Sequence, residues 1–124
     1  MEQKGNSRVL LADQFFALAT GADETAMRSS LSRLYYASFH VASALTGGTS
    51  HGDIAKRLSE THGEIGRTFK RLHDVRSQMD YTPDFFERLG VPDPKIWYEQ
   101  RMQEGIGLYL QLRGIWDSSQ EAEA

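Results

Sequence analysis

The sequence predicts an all-α protein, an up-down bundle of four helical segments joined by short links. Three observations lead there. Apolar residues recur at steps of three and four along most of the chain. No stretch shows the strict alternation of a half-buried strand. The three prolines all lie between positions 83 and 94, so long stretches before and after them are free to be helical.

The first segment is expected from about Ser7 to Thr20. Ser7 suits an N-cap. Val9, Ala12, Phe16 and Ala19 make one stripe, which Leu11, Phe15 and Leu18 broaden, and Gly21 ends it. The second runs from about Glu24 to Leu45, behind Asp23 as N-cap. Met27, Leu31, Leu34, Ser38, Val41 and Leu45 form one face of a 3.6-residue helix, and Gly47-Gly48 stops it. The third covers about His51 to Met79, with a break near Gly63. In its second half Ile65, Phe69, Leu72, Arg76 and Met79 share a stripe. From Tyr81 to Asp93 the chain reads as a loop with at most a short helical turn, a natural rim for a site. Asp93-Pro94 then opens the fourth helix as N-cap and first helical residue, running to about Trp116. It carries two stripes: Trp97, Arg101, Leu108, Leu112 and Ile115, then Tyr98, Met102, Tyr109 and Trp116. A face that wide covers two neighbours, or one neighbour and a partner subunit.

At 124 residues the chain is one domain, with enough length to bury a core unaided. The bundle is expected over 1–116, and the acidic segment 117–124 is expected to be a disordered tail. The absence of cysteine excludes disulfides, thiolate zinc sites, iron–sulfur clusters and a cysteine nucleophile. Apolar runs are too short for a membrane span, and the first residues lack a signal-peptide core, so a cytoplasmic location is expected. Net charge is −3, and without the last eight residues 14 acids face 14 bases. A nucleic-acid contact would therefore need a local patch.

Two constellations could carry chemistry. On a helical wheel with Arg33 at zero, the apolar stripe of the second helix centres near ~120°, while Tyr36 falls near ~300° and His40 near ~340°. Arg33, Tyr36 and His40 thus stack on a stripe turned away from the core. A fixed cation, a phenol and an imidazole grouped this way can bind a phosphate and transfer a proton. They can equally form a hydrogen-bonded seam between helices or across a dimer. In the third helix Arg76 sits on the apolar stripe between Leu72 and Met79, so it points inward and needs a partner. Asp80 at i+4 is in reach, His73 at i−3 is close to that face, and Tyr81 follows. This is either a bridge at a helix end or a guanidinium that holds a phosphate in a cleft. His51, His62 and His73 recur every 11 residues, which would align them on a continuous helix. With the break near Gly63 and no carboxylate cluster, no metal and no other cofactor is expected.

Arg33-Leu-Tyr-Tyr-Ala-Ser-Phe-His40 resembles the R-x-Y-Y-A-x-F-H signature of small prokaryotic HEPN-domain proteins. Ser50-His51-Gly-Asp-Ile54 is similar to the T-H-S-G-V element that follows it there. Leu72-His-Asp-Val-Arg76-Ser-Gln-Met-Asp80-Tyr81 resembles the family's L-x-x-x-R-x-x-A-D-Y segment. The three elements come in the family's order, spanning positions 33 to 81. The resemblance implies a four- to five-helix HEPN-like bundle that dimerises. It implies a metal-independent ribonuclease, or the toxin beside a nucleotidyltransferase antitoxin. Family catalysis centres on an R-x4-6-H motif near the end of the third helix, where histidine handles the 2′-hydroxyl proton and arginine stabilises the charged phosphorane. After Arg76 the histidine position holds Tyr81, and a tyrosine, with a pKa of about 10, is a poor base near neutral pH. Literal matches run from Arg57 to His62, Arg67 to His73 and Arg33 to His40, none at the family's position. The expected catalytic set is Arg76, His40 and Tyr81. Arg33, Tyr36, Asp80, His51 and His73 are the expected phosphate- or nucleotide-binding set. The alternative is a non-catalytic module in which this pocket recognises nucleotide, RNA or a nucleotidyltransferase.

Overall fold

In the computed structural model the residues described are 8–10, 13, 24–81, 85–90 and 93–123. Among them every regular element is helical: α1 (Glu24–Thr46), α2 (His51–Thr61), α3 (Gly63–Tyr81), α4 (Phe85–Leu89) and α5 (Pro94–Glu123). Residues 8–10 and 13 are helical too, and Val9 is buried. The rest of the expected first helix, including Ser7, Phe15 and Phe16, lies outside the described residues. Together the helices form a bundle. None of those described is long and apolar enough to cross a membrane.

The core follows the stripes. Leu31, Leu34, Ser38 and Val41 of α1 are fully buried, and so are Phe69 of α3 and Leu112 of α5. α5 packs on both α1 and α3, and α3 packs on α1 and α2. Gly105 sits where α5 crosses α1, and a Cβ there would come within 2.4 Å of Leu34 Cδ2. A residue without a side chain lets the two helices approach this closely without displacing Leu34.

Local chemistry explains most of the ends. Gly47, with φ of +77°, closes α1, and its N–H donates to the Ser43 carbonyl at 2.9 Å. Arg57 reaches back from α2 and donates to the Thr46 carbonyl at 2.6 Å. Ser50 caps α2 by accepting from the Asp53 N–H at 3.2 Å. Asp93 caps α5, with Oδ1 3.0 Å from the Lys95 nitrogen.

Two expectations are met in detail and one needs correction. The third segment is broken near Gly63 as expected, into two helices that pivot at His62 (φ −143°, ψ 76°). A Cβ on Gly66 would lie 2.5 Å from Ser59 Oγ and 2.8 Å from its backbone nitrogen, so the bare glycine is what lets the backbones of the α2–α3 hairpin come this close. The connection before α5 contains the short helix α4, with Phe85 buried and tilted against Trp97 at 5.3 Å. The acidic segment expected to be a disordered tail instead continues α5 through Glu123. Asp117 pairs with Arg113 at 2.7 Å, one turn back. Arg113 also donates to both carboxylate oxygens of Asp13, which accepts from the Tyr109 hydroxyl as well. The end of α5 is thereby tied to the segment before α1.

Candidate functional site

α1 and α3 run antiparallel, as their contacts show. Arg28 donates to the Met79 carbonyl, Tyr36 meets Arg76, and Tyr35 stacks on Phe69. The second to fourth turns of α1 therefore lie along the last turns of α3. This strip of contact brings together most of the residues singled out by sequence.

Arg76 is its centre. Its side chain is 19% exposed, and its guanidinium carbon lies 4.9 Å from the ring centroid of Tyr36 and 5.5 Å from that of Tyr35. Both distances suit a cation over a π face. Asp80 Oδ2 is 3.0 Å from Arg76 Nε. The N–H is not aimed along that line, so the contact is an ion pair without a hydrogen bond. The buried Nε–H has no hydrogen-bond acceptor among the described residues. A partly exposed i, i+4 pair of this kind adds little stability.

Asp80 also lines an open cleft of about 270 Å³, with Arg28, Ser29, Ser32 and Arg33. Two guanidiniums and two hydroxyls thus face one carboxylate, and that carboxylate is shared with a third guanidinium. The donor set suits an anion with several oxygens. Arg28, Ser29 and Ser32 were missed in the sequence. The signal available was the spacing of Arg28-Ser29 and Ser32-Arg33 at the start of α1, which sets these four on the side of the wheel away from the core while Ser30 and Leu31 between them are buried.

A second group begins at Tyr35. Its hydroxyl is 3.1 Å from His51 Nδ1. Burial raises the phenol's pKa more than the charge of Arg76 lowers it, so the hydroxyl stays protonated. His51 stacks on His73 with centroids 3.5 Å apart and planes 17° apart, and on Phe69 at 5.0 Å. Its pKa is lowered to about 4. Burial is the main cause, then the nearby His73 and, more weakly, Lys70, with Asp74 opposing. A neutral ring accepting from Tyr35 at Nδ1 carries its own proton on Nε2. His73 Nδ1 is 3.4 Å from Asp74 Oδ1. The 11-residue spacing acts here through the hairpin. His62 is the pivot, and His51 and His73 are equally far from it along the two arms.

The remaining two expected residues meet other surroundings. His40 is edge-on to Phe39 at 5.5 Å. Burial lowers its pKa, and the charge that adds to this is that of Arg8, on the segment before α1. Tyr81 ends α3 with 81% of its surface exposed. Among the described residues no group of three or more His, Asp or Glu side chains is arranged to hold a metal ion.

Comparison of the chain with protein-family models, with curated proteins and with solved structures finds no match.

Proposed function

We propose that this chain is a HEPN-type helical bundle that binds RNA or a nucleotide by its phosphate in the cleft of Arg28, Ser29, Ser32, Arg33 and Asp80. One observation carries the reading: that cleft gathers guanidiniums and hydroxyls around a carboxylate held 3.0 Å from Arg76. A bare anion would be repelled by Asp80. A ribonucleotide brings a hydroxyl donor beside its phosphate, which suits a carboxylate acceptor. The motif resemblance over positions 33 to 81 supports the same class of ligand. A homodimer, a nucleotidyltransferase partner and a cytoplasmic setting belong to the proposal through that resemblance.

The test is fluorescence anisotropy with a labelled oligouridylate at several salt concentrations. Arg33→Ala is expected to weaken binding about 10- to 100-fold, as for one charge-assisted hydrogen bond. It should also flatten the log–log salt dependence by about 0.7, the loss of one phosphate contact on a single strand. Absence of binding by the unaltered protein refutes the proposal.

A second reading is a metal-independent ribonuclease or toxin component. It is favoured by the His51–His73 pair, which reaches Arg76 through the single ring of Tyr35. It ranks second because an imidazole with a pKa of about 4 is a weak base at neutral pH. RNA degradation in chelator, lost in Arg76→Ala, would reverse that order. An unaltered protein that leaves RNA intact removes the second reading.

A further inference from the structure

We infer that Asp80 reads a ribose 2′-hydroxyl beside the bound phosphate, and that Arg76 positions Asp80 for this without touching the ligand. The inference rests on the phosphate-binding reading and adds to it the atom that separates RNA from DNA. A carboxylate set among the guanidiniums and hydroxyls of an anion cleft works against them, because it repels the phosphate that they attract. A carboxylate only accepts hydrogen bonds, so its use there is to take one from a donor on the ligand. Asp80 has that capacity. Among the described residues no hydrogen bond reaches its carboxylate, and its ion pair with Arg76 runs through an N–H aimed elsewhere. Arg76 meets Asp80 from outside the cleft, which it does not line. Its guanidinium lies 4.9 Å from the ring centroid of Tyr36 and 5.5 Å from that of Tyr35, and most of the side chain is covered. Packed on those rings, it balances the charge of Asp80 and fixes one of its oxygens, while the phosphate falls to the residues that line the cleft. Sequence alone set Arg76 against a phosphate; its contacts set it behind the carboxylate instead. In RNA the donor nearest to a phosphate is the 2′-hydroxyl, on the sugar carbon next to the 3′ linkage, and DNA lacks it.

The experiment compares unaltered protein with Asp80→Ala, Arg76→Lys and Arg33→Ala. Each is titrated against a labelled oligouridylate, the same strand built from deoxyuridine, and its 2′-O-methyl form. The unaltered protein is expected to prefer oligouridylate about 10-fold over the other two, the loss of one hydrogen bond to a charged acceptor. Asp80→Ala should bring the three strands within about 2-fold of one another, because no acceptor remains. It should also tighten the deoxyuridine strand relative to unaltered protein, since a repulsion is lifted. Arg76→Lys keeps a cation near the rings but removes Nε from beside Asp80. It should shrink the preference for oligouridylate and leave the salt slope unchanged, whereas Arg33→Ala should weaken all three strands alike. If Arg76→Lys also weakens all three alike with a flatter slope, Arg76 holds phosphate and its positioning role is overturned. If the unaltered protein binds the three strands equally, or takes the 2′-O-methyl strand as tightly as oligouridylate, while Arg33→Ala still weakens binding, the hydroxyl contact is overturned and the phosphate reading stands. If it binds none of them, the phosphate reading fails and the role of Asp80 with it.

Discussion

Lowering the pH should destabilise this protein through His51, and His51→Gln should remove that loss. The folded ring has a pKa of about 4, against about 6.5 for the unfolded chain. The unfolded state therefore takes up the proton first. Stability from this group is fully present above pH 6.5 and is lost as pH falls towards 4. At 1.36 kcal/mol per pKa unit the upper limit is about 3 kcal/mol. The ring is only partly buried, so solvent screening reduces the expected loss to roughly 1–2 kcal/mol. Glutamine stays neutral throughout and retains an oxygen that can accept from Tyr35. His40, whose pKa is also lowered, contributes to both proteins and cancels in the difference. Urea unfolding at constant ionic strength, at pH 7.5 and pH 4.5, measures the quantity. Equal losses of stability in the two proteins would refute the reasoning, because the packed site would then tolerate the charged His51 ring.

Three other outcomes test the packing. Gly66→Ala should destabilise by about 1–2 kcal/mol, because its Cβ would meet the Ser59 backbone, whereas Gly107→Ala, with open space around it, should gain about 0.5–1 kcal/mol. Thermal melts of both variants decide this, and a stabilised Gly66→Ala would show that the hairpin has slack. Ser38→Ala should raise stability by about 1 kcal/mol in chemical denaturation, since its fully buried hydroxyl finds no hydrogen-bond partner among the described residues. Asp13→Asn should cost about 1–2 kcal/mol by weakening the tie to Arg113 and Tyr109, and faster amide exchange at the end of α5 would locate the loss there.

What the sequence made legible was local. Helix ends written by neighbouring residues, such as Gly47-Gly48 and Asp93-Pro94, could be read directly. So could the outward-facing position of Arg33 on α1 and the proximity of Arg76 to Asp80, because both depend on helical periodicity alone. What escaped depends on contacts between distant segments. The closeness of α2 to α3 beyond the break depends on Gly66 against Ser59, and no local pattern announces that contact. The helical state of 117–123 follows Arg113, whose other partner, Asp13, is 100 residues away. The meeting of His51 with His73 required the hairpin to be known first, and Tyr35 joins the pair from a third helix.

The hairpin's symmetry about His62 makes the imidazole contact a matter of counting. Deleting one residue from either arm leaves a helix of almost the same quality, yet swings everything beyond it by about 100° and shifts it by about 1.5 Å. One ring would then face solvent or the core while the other stayed in place. Arm length is thus a heritable specification as strict as the identity of the two histidines, and a change in it would be silent in composition, charge and hydropathy alike.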